Sequence, residues 1–191
     1  MTAILAGCAT GSAHLSNPNA AAAAYRDTLD LSGRLAVNYH RDGQPQSITG
    51  SFTWNQRPGH IEIALFGPLG QTEATIAVTP GSATLTQSGK EPRVAQDIDA
   101  LTQQTLGWSL PVAGLADWMQ GYATDADGKR VPASPANNSI VTKDGWRLRF
   151  AEWQDSTKGS SGAMPRRIEA ERSATPTSDA LSMRIVIDPA A

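Results

Sequence analysis

Phe66-Gly67-Pro68-Leu69-Gly70-Gln71-Thr72-Glu73 decides how the rest of this chain folds. It lies between two runs of alternating apolar residues, Ile61-Glu62-Ile63-Ala64-Leu65 before it and Ala74-Thr75-Ile76-Ala77-Val78 after it. Pro pre-sets φ and Gly supplies a positive φ at little cost, so Gly-Pro-x-Gly between two such runs reads as a hairpin turn. Its occupant is unusual. Leu69 stands where a turn ordinarily carries Asn, Asp or Ser, and at a hairpin tip it cannot fold back onto its own sheet. Held in water, it forgoes roughly 1.5–3 kcal/mol that burial would supply. A single exposed leucine is ordinary on any surface, so the turn alone leaves open whether Leu69 is used.

Outward from the turn the period stays near two. Leu31, Gly33, Leu35, Val37 and Tyr39 share one face, with Ser32, Arg34 and Asn38 on the other. Arg41-Asp42-Gly43-Gln44-Pro45 breaks the pattern as a turn, and Ile48, Gly50, Phe52 and Trp54 resume it. Beyond the central hairpin, Thr79-Pro80-Gly81-Ser82 turns the chain into Ala83–Thr86, and Ser88-Gly89-Lys90 turns it again. Strands joined by hairpin-length links predict an antiparallel meander. One face is apolar throughout, as in a sheet covered on one side and wet on the other.

Between Asp97 and Met119 the period changes. Asp97 or Asp99 can cap a helix carrying Ile98, Leu101 and Leu106 and ended by Gly107. Ser109-Leu110-Pro111 starts a second helix, with Pro at a tolerated early position, Val112, Leu115, Trp118 and Met119 on one side, and Gly121 at its end. A loop over residues 125–138 follows. Strands then return at Ser139–Thr142, Trp146–Phe150, Arg167–Glu171 and Leu181–Ile187, with loops at Ser156–Ala163 and Ser173–Ser178. No internal repeat is evident. A long antiparallel sheet with helices inserted in its middle can fill its concave side with side chains or keep an apolar cavity there. Trp makes up five of the few aromatic residues, and both Trp54 and Trp118 fall on the inward faces. Core filling and cavity lining both fit these residues.

The chain has 191 residues, with 16 basic against 18 acidic and a formal net charge of −2. That balance offers no basic patch of the kind nucleic-acid binding needs. No apolar run reaches the roughly 18 residues of a membrane-spanning helix. His40 and His60 lie near strand ends among turn residues, and neither Gly-x-Ser-x-Gly nor His-Glu-x-x-His occurs. No nucleophile, base and orienter converge, so an enzyme is not the expectation. There is no Walker-type phosphate loop, and no metal or cofactor is expected.

Leu5-Ala6-Gly7-Cys8 has the form of a bacterial lipobox, whose cysteine is acylated and becomes the first residue of the mature protein; Cys8 is also the only cysteine. Residues 1–7 lack the basic region and long apolar stretch of a secretory signal, and are expected to be a truncated signal segment. Residues 8–24, rich in Gly, Ser, Asn, Pro and Ala and including His14, read as a flexible tether. The Ala20–Ala24 run could extend into a short helix through Tyr25 and Leu29. Residues 25–191 are long enough for a single domain with its own core.

Several of these pieces together resemble the LolB family: Phe52-x-Trp54, then Pro68-Leu69-Gly70-Gln71-Thr72-Glu73, then Leu106-Gly107-Trp108-Ser109-Leu110-Pro111-Val112-x-Gly114-Leu115-x-x-Trp118-x-x-Gly121, after Leu-Ala-Gly-Cys. The resemblance runs from Cys8 to the last strand, with loops 123–138 and 156–163 matching poorly. It implies a mainly β fold with an α-helical lid, a half-closed antiparallel barrel enclosing an apolar cavity, as in the periplasmic carrier LolA. It implies a monomer, lipid-anchored through Cys8 in the outer membrane and facing the periplasm. Such a protein accepts acylated lipoproteins from the LolA-like carrier and delivers them into outer-membrane phospholipid without ATP. Ala9, rather than Asp, after the lipidated Cys8 is consistent with outer-membrane sorting. Pro68, Leu69 and Gly70 become the membrane-delivery loop. From the alternation, the acyl-chain cavity is expected to involve Leu35, Val37, Phe52, Trp54, Ile63, Leu65 and Ile76 on strands. Leu110, Leu115, Trp118 and Met119 would contribute from the lid, and Leu148 and Phe150 from the returning strands. The alternative from another class is an envelope lipoprotein that binds a different lipid or acts as a scaffold.

Overall fold

A computed structural model describes residues 17, 19–41, 43–106, 111–156, 162–176 and 179–189. Two long strands, β1 (Leu29–Arg41) and β2 (Gln44–Arg57), form the first hairpin. The meander continues through β3 (His60–Phe66), β4 (Thr72–Thr79), β5 (Ser82–Gln87) and a short β6 (Arg93–Ala95). Helices α1 (Ile98–Leu106) and α2 (Val112–Trp118) follow, then β7 (Tyr122–Thr124), β8 (Arg130–Pro132) and β9 (Ser139–Val141). The chain closes with β10 (Trp146–Asp155), β11 (Ala163–Arg172) and β12 (Leu181–Ile187). β12 returns to pair with β1, so ten antiparallel strands form one sheet in the order β6-β5-β4-β3-β2-β1-β12-β11-β10-β9, while β7 and β8 pair separately. The expected meander and mid-chain helices are present. The ladder is open: among the described residues β6 and β9 are its two edges.

Register sets which side chains meet. Trp54 lies opposite Leu31 and Ile63, and Ile63 in turn faces Ile76, which faces Leu85. On the other half, Phe150 pairs with Ile168, Ile168 with Ile185, and Ile185 with Leu35. Because directly paired residues share a face, these two rows form one apolar surface. Gly33 is needed where they meet: a Cβ there would strike the Val186 carbonyl oxygen and come within 3.0 Å of the Phe52 ring. A strand glycine here lets a backbone approach closely while the neighbouring ring covers the gap.

The helices cover that surface. Asp97 Oδ1 accepts the Ala100 N–H at 2.7 Å, capping α1. α2 buries Val112, Leu115, Ala116 and Trp118, and Met119 follows them inside. Trp118 packs edge-on against Trp146 with ring centroids 5.4 Å apart, and Gly114 has no side chain because a Cβ there would lie 2.9 Å from the Trp118 ring.

Ala20–Ala24 does not form the helix considered for it. Ala23 donates to the Ala163 carbonyl at 2.9 Å, and Ala163 donates to Ala21 at 2.8 Å, so the backbone groups a helix would use are spent on β11. Tyr122 Oη donates to the Ala23 carbonyl, and the Gln120 amide bonds both the N–H and the carbonyl of Arg26. Partners far along the chain here override the helix propensity of alanine. The segment at 125–138, expected as a loop, contains β8. β6, β7 and β8 each span three residues, too short to show an alternation.

Candidate functional site

The turn at the centre of the sequence is built by its own backbone and two polar side chains. Gly67 N–H donates to the Gln71 carbonyl, and Gly70 N–H to the Gly67 carbonyl, both at 2.9 Å. Gly70 adopts φ +81°, a conformation that favours glycine. Gln71 Oε1 accepts the Leu69 N–H at 3.1 Å, while its Nε2 donates to Glu73 Oε1 at 2.7 Å. Every polar group named here has a partner inside the loop, which fixes the tip without using the side chain of Leu69. That side chain is 93% exposed, against 65% for Val94 and 57% for Val141, the other large apolar residues that stand out in water among the described ones.

Beside this turn the sheet opens. β3 ends at Phe66, opposite Ser51 on β2, so the part of β2 before Ser51 runs on past the end of its neighbour. An apolar hollow of about 330 Å³ lies there, between the inner faces of β1–β5 and helix α1. Leu35, Leu65 and Ile76, three of the expected cavity residues, line it. So do Ile48, Ala74 and Leu85, the last two paired across the ladder with Gln87 and Ile76, and Leu101, Thr102 and Thr105 from α1. The two threonine hydroxyls donate to the Ile98 and Leu101 carbonyls at 2.9 and 2.8 Å, so they add no unsatisfied donor to the apolar wall. Gly67, Pro68 and Glu73 extend the lining into the turn. The β3–β4 hairpin that carries the exposed leucine thus forms part of the wall of the hollow.

The remaining expected cavity residues are placed differently. Val37, Phe52, Trp54 and Ile63 are buried, as are Leu115, Trp118, Met119, Leu148 and Phe150, and all join one core cluster. None of the nine lines this hollow. Around Phe150, whose ring lies 5.8 Å from that of Trp153, the inner face is filled by side chains; under α1 it is not. Alternation assigns a face but says nothing about what covers it. Cys8 and Leu110 lie outside the described residues. Thr102 and Thr105 are missed by a reading of apolar periodicity because they are polar; Leu101, spaced helically from Ile98, is the one lining residue of α1 that such a reading picks out.

A second cluster ties the segment before β1 to α2 and β8. Arg130 pairs with Asp117 at 3.2 Å and lies over the Tyr25 ring at 4.3 Å. Burial, then the nearby Asp117 carboxylate, pushes the Tyr25 phenol up from its ordinary value. Among the described residues no group of three or more His, Cys, Asp or Glu is placed to hold a metal ion, and no helix is long and apolar enough to cross a membrane.

One antiparallel sheet, apolar on its inner face and roofed by short helices, with a hollow beside an exposed leucine, defines a mainly-β protein. Residues 27–189 match the family described as "Outer membrane lipoprotein LolB"; this chain belongs to the LolB family. It is 38% identical over 160 residues to the outer-membrane lipoprotein LolB of Cupriavidus taiwanensis, covering 82% of this chain and 78% of that one. It is 34% identical to the namesake of Ralstonia nicotianae, with 82% and 77% covered, and 34% identical to that of Bordetella pertussis, with 80% and 75% covered. Among solved structures, a LolA superfamily protein from Nitrosomonas europaea is similar with a TM-score of 0.47 at 7% identity, over 86% of each chain.

Proposed function

We propose that this protein, anchored through an acylated Cys8 and the tether 8–24, takes acylated lipoproteins from a LolA-like carrier and incorporates them into the outer membrane, working as a monomer that faces the periplasm. Residues 25–191 are its lipoprotein-binding domain, and the open sheet with its helical roof acts as a half-closed barrel. Support comes from membership of the LolB family together with the hollow whose lining continues into Pro68, next to the exposed Leu69.

The physical need is large. Each methylene that leaves an apolar environment costs about 0.8 kcal/mol, so one sixteen-carbon chain entering water loses on the order of 10 kcal/mol. A hollow replaces that loss with a similar environment, and hand-over requires only a difference in affinity between donor, hollow and bilayer. No nucleotide is needed. The resting space, about 330 Å³, lies at the lower end of the range of roughly 300–1,000 Å³ that accommodates one drug-sized ligand. Several acyl chains need α1 to move away from β5, and the core around Trp118 and Phe150 stays closed while it does.

Leu69 supplies the exit. Dipping into the acceptor bilayer, it recovers the roughly 1.5–3 kcal/mol withheld from it in water and brings the mouth of the hollow to the lipid. Leu69→Glu removes that gain without touching the interior. Acyl binding should stay at the parent level while incorporation into membranes falls about ten- to hundredfold, read as transfer of a labelled lipoprotein into outer-membrane vesicles. Delivery at the parent rate would overturn the role given to Leu69.

A further inference from the structure

On the face of the sheet turned away from the core, cross-strand charges are mostly paired. Arg147 meets Glu171 at 3.7 Å, Arg149 meets Glu169 at 3.0 Å, and Arg167 meets Glu152 at 3.1 Å. Two arginines on that face are different. Arg34 on β1 is exposed and lies opposite Ser51 on one side and Val186 on the other. Arg184 on β12 is exposed and lies opposite Ala36, and its other neighbour, Glu169, is already held by Arg149 and Arg167. Among the described residues neither arginine has an ion-pair partner. Both line one groove of about 490 Å³, whose other walls include Ala36, Thr49 and Ser51 and which ends at Gly67 and Pro68. No carboxylate lines it.

We propose that this groove binds the phosphates of glycerophospholipid headgroups in the acceptor bilayer while Leu69 enters the acyl region. The inference rests on the reading of Leu69 as a membrane-delivery residue and adds the polar half of the same contact. An apolar tip alone gives no preferred orientation at a bilayer. Two guanidinium groups at its base do, because each forks onto phosphate oxygens while its aliphatic stem lies along the apolar boundary. Leu35, Thr49, Gly50, Ser51, Gly67 and Pro68 line both this groove and the hollow, so headgroups held there stand at the rim from which an acyl chain leaves. The occupant is a lipid surface rather than a soluble anion, since the groove is open and is continuous with an apolar finger.

The test uses the full chain with Cys8→Ala, so that no anchor masks the contact. Its partition onto vesicles of three parts phosphatidylethanolamine to one part phosphatidylglycerol is measured by flotation at low and high salt. Near an anionic surface two cationic side chains together are worth about thirtyfold in partition, so Arg34→Gln with Arg184→Gln should lower binding by about that factor at low salt. The same pair changed to Lys should keep most of the salt-dependent binding. A thermal midpoint equal to the parent's shows that the Gln variant is folded. Partition of the folded Gln variant equal to the parent's would overturn the proposal. So would release of the parent from vesicles by millimolar inorganic phosphate at constant ionic strength, which would mark a free-anion site. Failure of the underlying reading is recorded separately: delivery by Leu69→Glu at the parent rate refutes the finger, whereas unchanged vesicle partition of the Gln variant refutes only the groove.

Discussion

Enlarging one alanine tests whether the space under α1 is empty and used. Ala74 lies on β4 between Leu65 and Gln87, is 7% exposed and lines the hollow. Ala170 on β11 is 1% exposed, lies between Leu148 and Met183, and does not line the hollow. The same change to Phe therefore has opposite consequences at the two sites. At Ala170 there is no room, and the added ring must displace packed neighbours at a cost of about 1–3 kcal/mol. At Ala74 the ring enters unfilled apolar space. An added apolar burial of about 100 Å² would contribute up to about 2.5 kcal/mol, set against the rotamer freedom lost, so stability should be unchanged or higher. The cost falls on the ligand instead. A ring that displaces about four acyl methylenes removes about 3 kcal/mol of binding, or some two orders of magnitude in affinity. Urea denaturation of both variants, with binding of an acylated lipoprotein measured alongside, separates the cases. If Ala74→Phe is destabilised as much as Ala170→Phe while acyl binding stays at the parent level, the hollow is not the acyl site.

Gly33→Ala forces a Cβ against the Val186 carbonyl oxygen and the Phe52 ring, and should cost about 1–3 kcal/mol; an unchanged urea midpoint would show that β1, β2 and β12 do not approach as described. Burial, then the carboxylates of Asp97 and Asp144, pushes the Asp99 carboxyl up. Its contribution to stability is thus fully present below the unfolded value, ordinarily 3.8, and is lost as pH rises through the raised folded value. Asp99→Asn should accordingly raise the thermal midpoint at neutral pH, with the gain vanishing in acid below that unfolded value; a gain independent of pH would point to a cause other than the carboxylate.

The β meander was legible because its signals are local. Gly67-Pro68-Leu69-Gly70 allows few conformations, and the runs on either side alternate long enough to set a face. α1 was legible for the same reason, with Asp97 at its start and Ile98, Leu101 and Leu106 at helical spacing. What the sequence withheld depends on partners distant in the chain. Ala20–Ala24 has the composition of a helix, yet its hydrogen bonds go to Ala163, some 140 residues away. Leu35 and Phe150 carry the same alternation, and only the placement of α1 and α2 makes one a wall of the hollow and the other part of the packed core. Arg34 and Arg184 lie 150 positions apart, and only β12 returning beside β1 brings them into one groove. Each looks like any solvated strand arginine.

The placement of the hollow follows from unequal strand lengths. β1 and β2 span 13 and 14 residues, while β3 spans 7 and β4 spans 8. β3 stops at Phe66, opposite Ser51, and the part of β2 before Ser51 runs on past it. Had β3 been as long as β2, the tip would stand clear of any opening. Because it is short, the turn that ends it lies at the edge of the apolar surface instead of past it. Gly50 keeps that edge thin, since a Cβ there would lie 2.6 Å from the Phe66 carbonyl oxygen. A single truncated hairpin thereby sets both the mouth of the hollow and the projection of Leu69. Lengthening it by two residues on each side would keep the alternation in phase but move Leu69 by about 7 Å away from the mouth. On the proposed reading, the longer hairpin leaves Leu69 as exposed as before and slows delivery, because the tip would reach the bilayer ahead of the chain it is meant to release. Delivery unimpaired by the longer hairpin would show that the leucine acts wherever it is held, and that its nearness to the hollow is incidental.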